Sequence, residues 1–93
     1  MILEPIYDSR NSFYGKATTE RDGNTLKLYS YNTLVAEIVS RETSTEYIYM
    51  GKYSQTTTRH QKEFFKQNGL TDKQIKELIK EGSLTIEDAI PLF

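Results

Sequence analysis

A change of hydrophobic period near residue 53 restricts this chain more than any other feature. Before it, apolar and polar residues alternate with the period of two that strands need; after it, apolar residues recur at helical spacing. Phe13, Gly15, Ala17 and Thr19 alternate with Tyr14, Lys16 and Thr18, which predicts a first strand. Asp22-Gly23 follows, a dipeptide suited to the positive φ angles of a tight hairpin. Leu26 and Leu28 alternate with Lys27, Tyr29 and Tyr31, a second strand with a tyrosine-bearing face. Asn32-Thr33 marks a turn into a third strand from Leu34 to Val39. Thr45 to Met50 predicts a fourth, with Tyr47 and Tyr49 on one face and Ile48 and Met50 on the other. Short connections between successive strands make this an antiparallel meander.

The second half carries helix punctuation. Gly69 stops a helix expected from about Thr57 to Asn68, and Phe65 can meet Leu70 across that end. Thr71 is an N-cap with Gln74 three residues on, a capping box, and Leu70 and Ile75 have the spacing of a hydrophobic staple. The second helix offers Ile75, Leu78 and Ile79 to a core and ends at Gly82. Thr85 with Asp88 predicts a short helical turn stopped by Pro91. The expected fold is α+β: an antiparallel three- to four-stranded β-meander, two α-helices and a short C-terminal helical turn. One domain spans 1–93, with the meander over about 13–50 and the helical part over about 56–90.

Composition narrows the chemistry. With no cysteine among 93 residues, a disulfide scaffold, a thiolate metal site and a cysteine nucleophile are excluded. A single histidine argues against a histidine-based zinc site, and no cofactor or metal is expected. No segment has the apolar length of a bilayer span, and the first ten residues lack a secretory signal's basic and apolar regions. A soluble, cytoplasmic protein without membrane contact is therefore expected. The net charge of −1 conceals a polarity: −2 over residues 1–50, +4 over 51–80 and −3 over 81–93.

The densest constellation runs from Tyr53 to His60 at the start of the first helix. Exposed N–H groups, threonine hydroxyls and Arg59 could attract an anion there, but capping alone explains the threonines, with Thr58 and Gln61 as a capping box. His60 shares a stripe with Phe64, which favours a packed, hydrogen-bonded imidazole over a general base. Arg59, Lys62 and Lys66 recur at i, i+3 and i+7 on one side of the first helix; Lys73, Lys76 and Lys80 repeat the spacing on the second. Such a face can meet phosphates, an acidic protein surface or only solvent. Tyr29 and Tyr31 could stack bases, anchor an interface or form cross-strand pairs. No glycine-rich phosphate loop, serine elbow or paired-carboxylate motif is present, so no enzyme is expected.

The strings Ser30-Tyr31-Asn32-Thr33-Leu34-Val35-Ala36, Tyr53-Ser54-Gln55-Thr56-Thr57 with Arg59-His60, Glu63-Phe64, and Gln67-Asn68-Gly69 resemble an uncharacterised family of small proteins. Its members are carried by phages, plasmids and integrative elements of Gram-positive bacteria. The resemblance spans roughly residues 26–81 and implies a context, not a chemistry: an accessory protein in a cytoplasm that contains host defence systems. The expected function is non-enzymatic binding of a host or phage protein, in its most specific form inhibition of a defence nuclease in the manner of an anti-CRISPR protein. The alternative is a nucleic-acid-binding regulator using the basic face of the first helix. Candidate contacts in either case are Tyr29, Tyr31, Thr57, Arg59, Lys62 and Lys66.

Overall fold

The computed structural model describes residues 1–7 and 16–87. Five strands form one antiparallel sheet in sequential order: β1 (Ala17–Asp22), β2 (Thr25–Ser30), β3 (Thr33–Ser40), β4 (Ser44–Tyr49) and β5 (Ser83–Glu87). Two helices, α1 (Gln55–Gln67) and α2 (Asp72–Glu81), stand between β4 and β5 in the chain. The α+β meander expected from the alternating first half is present. Of the predicted first strand, Phe13, Tyr14 and Gly15 lie outside the described residues.

Two-residue turns set the early pairing. Gly23, at φ +62°, opens the β1–β2 turn where Asp22-Gly23 predicts one. The β2–β3 turn sits one residue earlier than Asn32-Thr33: Tyr31 and Asn32 both adopt positive φ (51° and 68°), and Ser30 pairs with Thr33. Positive φ at both central residues matches the twist of the flanking strands, and this outweighs tyrosine's reluctance to leave extended geometry. Tyr31 is therefore a turn residue and not part of a strand face.

Residues 83–87 correct the predicted C-terminal helical turn. They return to the sheet as β5, pairing Tyr47 with Leu84 and Thr45 with Ile86, and Thr85 is a strand residue. Leu84 and Ile86 alternate with Ser83, Thr85 and Glu87, a strand period, and pairing satisfies the backbone groups along β4's otherwise open edge. Among the described residues the helical part thus ends at Glu81, and Asp88 and Pro91 lie outside them.

Both helices cover one sheet face. Leu28, Ala36, Ile38 and Tyr47 from the sheet meet Phe64, Phe65, Leu70, Ile75 and Leu78 from the helical side. Phe64 and Phe65 are both fully buried, and truncating either to alanine costs about 3–5 kcal/mol. α1 starts two residues before the predicted Thr57: its N-cap is Ser54, whose hydroxyl accepts from Thr57 N–H at 3.1 Å. At its other end Leu70 N–H donates to Phe65 O and Gly69 N–H to Lys66 O, closing the helix as a Schellman motif. The capping box at α2 is complete: Gln74 N–H donates to the Thr71 hydroxyl at 3.2 Å, and Thr71 N–H donates to Gln74 Oε1 at 2.9 Å. No described helix is long and apolar enough to cross a membrane.

Residues 1–7 form a strap with no periodic signature. Leu3 N–H donates to Ala17 O at 2.8 Å and Thr19 N–H to Met1 O at 2.7 Å, which covers part of β1's outer edge. The strap then reaches α1, where Glu63 receives it.

Thr71→Ala removes one half of a reciprocal cap and is expected to lower stability by about 1 kcal/mol. In a domain this size that is a fall in Tm of about 4–8 °C, readable by circular dichroism. An unchanged Tm would mean that the box does not hold α2.

Candidate functional site

The inward face of α1 is committed to the interior: Thr57, His60, Gln61, Glu63, Phe64 and Phe65 are all buried. The remaining stripe carries Arg59, Lys62 and Lys66, which span about 10 Å of helix at 1.5 Å per residue. α2 packs beside this stripe and adds Lys76. A cleft of about 410 Å³ opens between them, lined among the described residues by Tyr7, Arg59, Lys62, Glu63, Lys66, Asp72, Ile75 and Lys76. Three predicted contact residues therefore share one concave site with a cation of the second helix.

The two acids in the lining are not equivalent. Asp72 pairs with Lys66 at 3.0 Å on an exposed rim, a contact that contributes little to stability. Glu63 is buried and its carboxylate is occupied. It accepts Ile6 N–H at 3.0 Å, Tyr7 N–H at 3.0 and 3.2 Å, and Gln67 Nε2–H at 2.6 Å. The Lys66 ammonium also lies 5.2 Å from the centroid of the Tyr7 ring, a cation–π contact. Among the described lining residues four cations, Arg59, Lys62, Lys66 and Lys76, outnumber the two acids, so the site presents an excess of positive charge around an aromatic wall and the Ile75 side chain.

The other predicted contacts fall elsewhere. Tyr29, between inward-facing Leu28 and Ser30, points to the sheet face opposite the helices. Tyr31 is half exposed on its turn, with its ring 6.0 Å from that of His60 and the Lys16 ammonium 5.5 Å away. Thr57 corrects an expectation: it is 4% exposed, and its hydroxyl lies 2.9 Å from Ser30 Oγ, so it belongs to the interior and not to a contact surface. At the third residue of the helix its side chain points at the sheet because Ser54, not Thr57, is the cap. The tyrosine face and the basic helix stripe are thus two separate surfaces.

Ser30 Oγ also lies 2.8 Å from His60 Nδ1. Serine and histidine at this distance could act as nucleophile and base, but they are 2% and 0% exposed, so a substrate has no approach to either. The cluster instead supplies buried polar groups with partners and ties α1 to β2. Nearby, Gln61 Nε2 donates to Val35 O and Gly51 O, each at 3.0 Å, tying α1 to β3 and to the loop before the helix. Two titrations shift in the sheet. Hydrogen bonding and charge from Asp22 raise Lys27, and burial raises the Tyr49 phenol; neither lines the cleft. No group of three or more acidic or histidine side chains suited to a metal ion occurs among the described residues.

Tyr7 and Glu63 are the cleft residues that local sequence patterns do not reveal. Tyr7 belongs to a segment without periodicity, and Glu63 has the sequence signature of an ordinary helix-surface acid. The one available signal is that Glu63 directly precedes Phe64 and Phe65, on the side of the helix that must face inward.

The chain belongs to a family of unknown function, DUF8033, whose model matches residues 1–81. That span takes in the strap, β1 to β4 and both helices, and so the whole of the cleft. No curated protein and no solved structure matches it.

Ser30→Ala deprives both His60 Nδ1 and the Thr57 hydroxyl of a partner at full burial. The expected loss is about 1–3 kcal/mol, measured as a lower urea midpoint at unchanged slope. A midpoint equal to that of the wild type would show that the cluster does not support the fold.

Proposed function

We propose that this member of the family is a non-enzymatic binding protein of a phage or other mobile element of Gram-positive bacteria. It acts in the host cytoplasm by docking an acidic protein surface in the cleft between α1 and α2. One observation carries the reading: Arg59, Lys62 and Lys66, recognisable as a row in the sequence, are joined by Lys76 in a single concavity. Opposite charge focused in a concave site speeds encounter and selects orientation.

Charge distribution favours protein over nucleic acid. A polymer of phosphates is tracked by an extended basic patch or stripe, most often on a domain that is basic overall. Here the sequence pI is about 5.8, and the chain on either side of residues 51–80 is net acidic. A compact acidic protrusion can fill the cleft without running onto those flanks. The mobile-element context comes from the family resemblance, and it makes a host defence nuclease the most specific candidate partner. Such an inhibitor would work by occupying a surface, which requires no chemistry.

Affinity capture from a Gram-positive host lysate tests this. The wild-type chain is expected to retain a protein that the Arg59→Glu/Lys62→Glu double variant loses, and nuclease digestion of the lysate is expected to leave the retention intact. Retention that disappears on digestion, together with a gel shift of DNA or RNA at about 50 mM salt, would replace this reading with a nucleic-acid-binding regulator.

A further inference from the structure

The N-terminal strap shows solvent an apolar surface beside the cationic one. Met1, Ile2, Ile6 and Tyr7 are 92%, 51%, 70% and 59% exposed. They project from a held backbone: hydrogen bonds to β1 fix one end and the Glu63 carboxylate fixes the other. A second hollow of about 680 Å³ borders the strap, and its apolar lining includes Ile2, Leu3, Ile6, Leu26 and Phe64. The two hollows share α1 as a wall, and adjacent residues Ile6 and Tyr7 contribute one to each. Exposed apolar side chains on a held backbone beside a charged concavity are a mark of an interaction surface.

From this juxtaposition we infer that the occupant is an amphipathic acidic helix of a partner protein. Its carboxylates meet Arg59, Lys62, Lys66 and Lys76, and its apolar side packs on the strap at Ile6 and Tyr7. This rests on the assignment of the α1–α2 cleft as an acidic-protein site and adds the form of the ligand. A helix carries acids on one face and apolar residues on the other, which suits the two neighbouring surfaces. Arg59, Lys62 and Lys66 recur with the helical repeat of α1, and a helix lying alongside can present acids to them at the same i, i+3, i+7 spacing. A nucleic acid would leave the apolar strap unused. A flat anionic membrane would not enter the concavity where the cations stand.

The probe is a helical peptide of about fourteen residues, close to α1 in length, with glutamates on one face and leucines on the other. It is compared with a poly-glutamate of equal charge, a scrambled peptide of the same composition, single-stranded oligonucleotides and anionic phosphatidylserine vesicles. By fluorescence anisotropy the amphipathic peptide is expected to bind about tenfold tighter than poly-glutamate or the scrambled peptide. Ile6→Ser is expected to remove that advantage and leave poly-glutamate binding unchanged; Lys62→Glu is expected to weaken both. Far-ultraviolet circular dichroism verifies that the exposed substitutions leave the fold intact. If poly-glutamate binds and the amphipathic peptide binds no tighter, this inference fails and the acidic-protein cleft stands. If no acidic peptide binds, both fail. Oligonucleotide or vesicle binding that equals the peptide's would also overturn it.

Discussion

A buried carboxylate in the middle of α1 holds together the parts of this protein that matter for recognition. Removing Glu63 from water is costly unless its oxygens are bonded, and the molecule meets that condition with the N–H groups of Ile6 and Tyr7 and the Gln67 amide. The strap is held there because the buried carboxyl group needs donors, and the strap's N–H groups supply them. Both hollows on this side of the molecule have the strap as a boundary.

α1 reaches the rest of the fold in the same manner. Thr57 and His60 meet Ser30 of β2, Gln61 meets the carbonyl of Val35 in β3, Glu63 meets the strap, and Phe64 and Phe65 enter the apolar core. One helix face thus fixes three separate pieces of chain through directional bonds, where a purely apolar stripe would leave them free to slide. Gln61 Oε1, buried and without a partner among the described residues, is a local cost of this arrangement. The outward stripe of the helix is left to charge. Since the inward residues fix the helix's rotation, they also fix the direction in which Arg59, Lys62 and Lys66 face.

Local features of the fold were legible in proportion to how local their physics is. The Thr71–Gln74 box and the Gly69 stop involve atoms within a few residues, and both stand as the sequence predicts. β5 was not legible, because five residues of alternating pattern competed with a helix-start signal at Thr85 and only the open edge of β4 decided between them. Of the predicted contact residues, the three cations were brought together in the cleft, while Tyr29, Tyr31 and Thr57 were dispersed to the far sheet face, a turn and the interior. Thr57 was misplaced because several hydroxyls in a row can cap a helix, and choosing Ser54 moves Thr57 inward.

The amino-acid sequence by itself determined the α+β division, the antiparallel meander, the Gly69 and Gly82 helix stops, the Thr71 cap and the presence of a basic row on α1. Each depends on a periodicity or a cap that neighbouring residues specify. Only the tertiary structure decided that α2 would close that row into a cleft, that the strap would wall it with Tyr7, and that Glu63 would grip the strap. The Glu63 contacts join residues 56 and 57 positions apart. Side-chain-to-backbone bonds over such a distance impose no pattern on the intervening sequence, so they emerge only when the packed chain brings the groups together.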